Sequence, residues 1–128
     1  MSTSISNWGR WGDDDQKGTI NLITANDIKA AAGSVKEGRV YSLSMPLEAD
    51  GPQWPGRHKT WQSTSIVNLE DGYGGADDIL MMHSHSGTHM DSLCHLWYDY
   101  QLYNGYDASK HVTSFGATRN SLDNIPAM

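Results

Sequence analysis

A single cysteine, Cys94, excludes an internal disulfide and suits a reducing compartment. Basic charge is scarce: 9 Lys and Arg stand against 15 Asp and Glu, a net charge of −6. No Lys/Arg cluster is present, so the electrostatic footprint of a nucleic-acid binder is missing. Long apolar runs are missing too. None approaches the roughly 18 residues of a membrane span. Met1–Ser6 lacks the charged and apolar stretches of a signal peptide, so a cytoplasmic location is expected. Large apolar residues are few, with 21 Leu, Ile, Val and Phe in 128 residues. Five Trp and six Tyr partly offset this and argue for packing rather than disorder. A chain of 128 residues is expected to be one domain.

What the chain does have is histidine, concentrated in one place. His85-Ser86-Gly87-Thr88-His89-Met90-Asp91-Ser92-Leu93-Cys94-His95 carries three imidazoles and a carboxylate in eleven residues. Imidazole and carboxylate suit zinc and manganese. Gly87 lets the backbone turn between the first two donors. His85 and His89, and Asp91 and His95, are spaced i, i+4, as on a helix face. All four also share parity, as on one face of a strand. Gly87 and β-branched Thr88 disfavour a helix through the first half, so strand and turn are expected over 79–91, with 92–98 open. A structural zinc site is a rival reading, but such sites favour cysteine. Cys94 has the opposite parity and is expected to pack inward as a small hydrophobe.

The pattern H-x-G-T-H-x-D-x-x-x-H resembles the metal-dependent cyclase family, which includes bacterial kynurenine formamidases and isatin hydrolases. Trp8-Gly9-Arg10-Trp11-Gly12 and Gly18-Thr19-Ile20-Asn21-Leu22 are similar to the N-terminus of its longer branch. So are Tyr98-Asp99 and Tyr103-Asn104-Gly105-Tyr106. The resemblance runs from Trp8 to the end. It implies an α/β fold of mixed parallel and antiparallel β layers with a helix layer, the swivelling β/β/α architecture. It implies that residues 1–128 are the N-terminal portion of a longer domain, an incomplete fragment. It also assigns roles. His85, His89 and Asp91 look like ligands of a first metal, Asp91 bridges to a second, and His95 is either a ligand of that second ion or a proton shuttle. A further glutamate ligand and a catalytic histidine come from the family's later half. The activity implied is hydrolysis of a C–N bond in a small aromatic amide or cyclic amide by metal-activated water. The cofactor is one or two zinc or manganese ions, the partner a small-molecule substrate, and the full-length parent a homodimer. A metal-dependent cyclase or dehydratase, or a non-catalytic metal-binding fragment, are the alternatives.

Residues 1–18 read as an irregular arm, with Asp13-Asp14-Asp15 a solvated charge run. Thr24 to Val35 is the clearest helix, capped by Thr24 with Asp27 in its first turn. Its buried face is expected at Ile28, Ala31, Ala32 and Val35, with Ile23 stapled to Ile28 and Gly38 as the stop. Val40–Ser44 alternates as a half-buried strand does. Residues 45–60 read as loop, Trp61–Leu69 as a second strand, 71–75 as a turn, and 79–82 as a short buried strand. His83 is expected to pack near the motif rather than ligate, and His58 and His111 to lie at the surface. Trp54, Trp61, Trp97 and Tyr98 are the candidate aromatic wall for a substrate. Taken alone, the chain is expected to fold incompletely or self-associate, leaving Leu80, Met82 or Trp97 unusually exposed.

Overall fold

Thr24 starts the first full helix in this computed structural model, which describes residues 6–125. The Thr24 side chain accepts from the Asp27 amide, and the Asp27 carboxylate accepts from the Thr24 amide at 2.7 Å. This reciprocal cap satisfies two amides that a helix start leaves unpaired. It opens α1, Ala25–Gly33. The helix stops five residues before Gly38, with Ser34 closing it through hydrogen bonds to the carbonyls of Ala31 and Ala32. None of its residues is buried, so the expected inward face of Ile28 and Val35 stands open to solvent, as does Ile23.

The chain divides into two units. One is Val40–Met90; the other joins the segment up to Arg39 to the segment from Asp91 on. The first five and last three residues, 1–5 and 126–128, lie outside the described residues. The start of the expected arm and the N-terminal segment read for a signal peptide therefore go undescribed.

In the Val40–Met90 unit, β1 (Trp61–Asn68) pairs antiparallel with β2 (Gly74–Met81). Trp61 stands opposite Met81 and Asn68 opposite Gly74. Their connection is fixed by the Leu69 amide donating to the Tyr73 carbonyl at 2.7 Å. Opposed residues share a sheet face, so Trp61, Val67, Ile79 and Met81 lie on one side together with Ser63, Ser65 and Asp77. Gln62, Thr64 and Asp78 lie on the other, where the Thr64 hydroxyl donates to the Asp78 carboxylate at 2.6 Å. β2 is longer than the apolar run 79–82 alone suggests. It is also not buried: Ile79, Leu80 and Met81 are exposed. Register with β1, not composition, draws Gly74–Asp78 into the strand. Val40–Ser44 is not a strand. No ladder pairs with it among the described residues, and Val40 is 95 % and Leu43 86 % exposed. An alternating sequence without a partner has no hydrogen bonds to hold it extended.

In the other unit, the arm is not loose. The Gly9 amide donates to Asn104 Oδ1 at 2.7 Å, and Asn104 Nδ2 donates to the carbonyls of Gly12, Asp13 and Asp15. Asn104 takes the left-handed conformation, φ +63°, which Asn tolerates better than most residues. Next to it, Gly105 packs on the Trp8 ring and takes φ +77°, a conformation that favours glycine. Asp15 departs from the solvated run expected for Asp13–Asp15. It is half-buried and accepts from Asn21, the Gly18 amide and the Tyr103 hydroxyl. Behind this knot sit the buried Leu102, Ala108 and Asn120. The Asn120 side chain donates to the Tyr103 carbonyl, and the Cys94 amide donates to the Asn120 carbonyl. Ala108 begins a short helix, α2 (Ala108–His111), followed by the two-residue strands β3 (Val112–Thr113) and β4 (Gly116–Ala117), paired antiparallel. Helices and small antiparallel sheets together place the chain in the α/β class. No helix among the described residues is long and apolar enough to cross a membrane.

Candidate metal centre

The motif follows β2 as a loop rather than a strand. The reason is local. The hydroxyl of buried Ser86 donates back to the His83 carbonyl at 2.6 Å. Gly87 then adopts φ +62°, where an L side chain would be strained. The chain doubles back and the two histidines approach. The His85 and His89 rings meet edge to face with centroids 5.2 Å apart.

Asp91 joins them. One donor atom each from His85, His89 and Asp91 lies within 4.8 Å of the other two. Donors sharing a tetrahedral zinc ion at 2.0–2.2 Å stand about 3.3–3.6 Å apart. Closing on an ion thus asks for side-chain movements on the order of 1 Å. His89 and Asp91 are exposed and His85 half-buried, so these movements are open to the side chains. The donor set therefore fits a divalent zinc or manganese ion. His89 Nδ1 lies 3.1 Å from the Gly87 carbonyl oxygen. A carbonyl only accepts, so Nδ1 carries the ring proton and Nε2 is left as the metal donor. This is the usual way a backbone carbonyl fixes the tautomer of a metal-binding histidine.

His95 stands outside that trio. Its Nε2 is 3.9 Å from Asp91 Oδ2, and its amide donates to the Ser92 carbonyl at 3.1 Å. The one-turn bend 92–95 gives this segment its shape, not a continuing strand. Cys94 is half-buried rather than packed as a hydrophobe, and its Sγ lies 2.9 Å from the Ser92 hydroxyl. His83 faces His58 in a parallel arrangement, centroids 6.3 Å apart, beside Met81 and Met82. His111 contacts the Thr118 hydroxyl and the edge of Tyr106. Of the four aromatic candidates, Trp54 and Tyr98 are the most open, at 73 % and 89 % exposure. Trp61 and Trp97 are about half exposed.

Two residues beside the loop escaped the sequence reading. The Arg57 guanidinium donates to the His85 carbonyl at 2.5 Å. The Thr88 hydroxyl donates to the Leu43 carbonyl and accepts from the Met45 amide, both at 3.2 Å. Arg57 offered no signal, sitting in a Pro-Gly loop 28 residues from its partner. Thr88 did: a hydroxyl next to a turn-forming glycine is well placed to bond backbone.

No curated protein matches the chain. A crystal structure described as that of a novel cyclase superposes with a TM-score of 0.86 at 34 % identity, over 94 % of this chain. The chain spans 44 % of the length of that structure. The Cyclase family model matches residues 41–125, which hold β1, β2 and the whole histidine motif, and the chain therefore belongs to the Cyclase family.

Proposed function

We propose that this chain carries the metal-binding part of a metal-dependent hydrolase that cleaves a C–N bond in a small aromatic amide or cyclic amide. The activities of kynurenine formamidases and isatin hydrolases are of this type. One observation carries the reading: the donors of His85, His89 and Asp91 lie within 4.8 Å of one another. Two imidazoles and a carboxylate leave coordination positions open, as catalytic sites do and closed structural sites do not. A zinc or manganese ion, when bound, supplies Lewis acidity that polarises a carbonyl and lowers the pKa of a water from 15.7 to roughly 7.

The chain's residues do the rest. His85 and His89 hold the ion through neutral imidazoles, and Asp91 supplies compensating charge. His95, 3.9 Å from Asp91, would either join Asp91 on a second ion or deliver a proton to the departing nitrogen. Trp54, Trp61, Trp97 and Tyr98 offer aromatic surface for the substrate ring. The chain spans 44 % of the cyclase structure it resembles. That supports reading the chain as part of a longer protein, to which the complete activity is assigned. Cyclisation or dehydration at the same centre is the second reading, favoured by the description of the matching structure as a cyclase.

Manganese or zinc titrated into the chain should bind, and His85→Ala or Asp91→Asn should abolish binding. A chain that binds neither ion overturns the reading. His95→Ala separates the two roles of that residue. A lower metal stoichiometry makes it a ligand. Full stoichiometry with lost hydrolysis of an N-formyl aromatic amine by the longer protein makes it the proton shuttle. If both survive, His95 has neither role.

A further inference from the structure

We propose that Arg57 and Thr88 are positioning residues that hold the His85–His89 loop in its metal-binding shape before an ion arrives. The inference rests on the metal reading above and concerns how the two histidines are held. Between them lie only Ser86, Gly87 and Thr88, and a glycine with φ +62° leaves that interval without a stiff backbone of its own. Each end is tied to a different neighbour. At His85 the tie is a charge-assisted hydrogen bond, the Arg57 guanidinium on the backbone carbonyl at 2.5 Å. Such bonds are about twice as strong as neutral ones. Beside His89 it is the Thr88 hydroxyl, which donates to the Leu43 carbonyl and accepts from the Met45 amide. One hydroxyl thus splices the loop to the 43–45 segment with both of its hydrogen-bonding functions. Met45 and Leu47 back the turn from the same side, within 4.0 Å and 3.6 Å of where a Gly87 Cβ would stand.

The consequence is preorganisation. Ligands that must be gathered on binding cost affinity, whereas ligands already held do not. It also accounts for segment 43–47, which is exposed and forms no strand. Its backbone serves as the anchor for the motif turn.

The test is titration of the full chain with cobalt(II), whose visible spectrum reports ligand geometry, and with manganese(II). The variants are Arg57→Gln, Thr88→Val and Thr88→Ser, each also melted without metal. Thr88→Val keeps the shape and removes both hydrogen bonds, while Thr88→Ser keeps the hydroxyl. Arg57→Gln and Thr88→Val should each weaken metal binding about 10-fold, the lower end of what outer-shell partners contribute, and shift the cobalt spectrum. Thr88→Ser should restore both affinity and spectrum. If the wild-type chain binds but the two variants match it in affinity and spectrum, the positioning roles are wrong and the metal reading stands. If affinity falls only in step with the metal-free melting temperature, and serine does not restore it, the two residues are merely structural and the proposal fails. A wild-type chain that binds no metal overturns both.

Discussion

Asp15 and Tyr103 lie 88 positions apart in sequence and share one hydrogen bond, the phenol donating to the carboxylate at 2.8 Å. Burial pushes the Tyr103 phenol up to about 12, helped by the hydrogen bond and charge of Asp15. Burial also acts to raise Asp15. The hydrogen bonds it accepts from Asn21, Tyr103 and the Gly18 and Lys17 backbone outweigh that, and its pKa falls below the ordinary carboxylate value. The signs follow from linkage. The phenol is neutral in the fold, so its contribution is complete below pH 10, the unperturbed value, and is lost as pH rises from there through about 12. The carboxylate is charged in the fold, so its contribution is complete above 3.8 and is lost as pH falls below it. Melting temperature against pH should therefore fall at both extremes. In Tyr103→Phe the alkaline fall between pH 10 and about 12 should be shallower than in the wild type. In Asp15→Asn the acid fall below 3.8 should be shallower. Curves for wild type and Tyr103→Phe that stay parallel to the alkaline end would show that the phenol carries no linked stability. The sequence hid this pair. Three consecutive aspartates read as a solvated run, and only the return of the chain at Asn104 makes one of them an anchor.

Elements were legible where their cause is local. Thr24 and Asp27 are three residues apart, and the helix they cap could be located from that spacing alone. Trp61–Asn68 was legible through its aromatic and β-branched residues and its flanking loops. The approach of His85, His89 and Asp91 was legible for the same reason, since these residues and the turning Gly87 fall within seven residues. What needs a distant partner was not. Gly74–Asp78 carries no strand signal and becomes one because β1 lies beside it. Val40–Ser44 carries the signal and does not become one, because no strand pairs with it among the described residues and the Leu43 carbonyl meets the Thr88 hydroxyl instead. The helix offers a clean measurement of a local cause. Thr24→Ala removes the side chain that accepts from the Asp27 amide and donates to its carboxylate. Loss of such a cap costs about 1 kcal/mol. α1 has no buried residue to compensate, so the loss should appear as reduced helicity in far-ultraviolet circular dichroism. Thr24→Ser should keep the cap and the signal. Unchanged helicity in the alanine variant would mean that α1 is held by something other than its cap.

Across the molecule, hydrophobic burial is thin. Among the described residues only Leu102 and Ala108 are buried hydrophobics, while Trp61, Ile79 and Met81 line one open face of the β1–β2 pair. A two-stranded sheet is marginal in water by itself. Its outer edges also present amide and carbonyl groups able to pair with another chain. Both features favour association, and a net charge of −6 opposes it only weakly once salt shortens the reach of repulsion. The chain should therefore sediment as a concentration-dependent mixture of monomer and larger species, more so at high salt. Ile79→Lys places a charge beside Trp61 and Met81 on that face, opposite Ser63. It should shift the distribution toward monomer while leaving metal affinity unchanged. A wild-type chain that stays monomeric at every concentration and melts in one sharp transition would show that so small a buried core suffices for a cooperative fold.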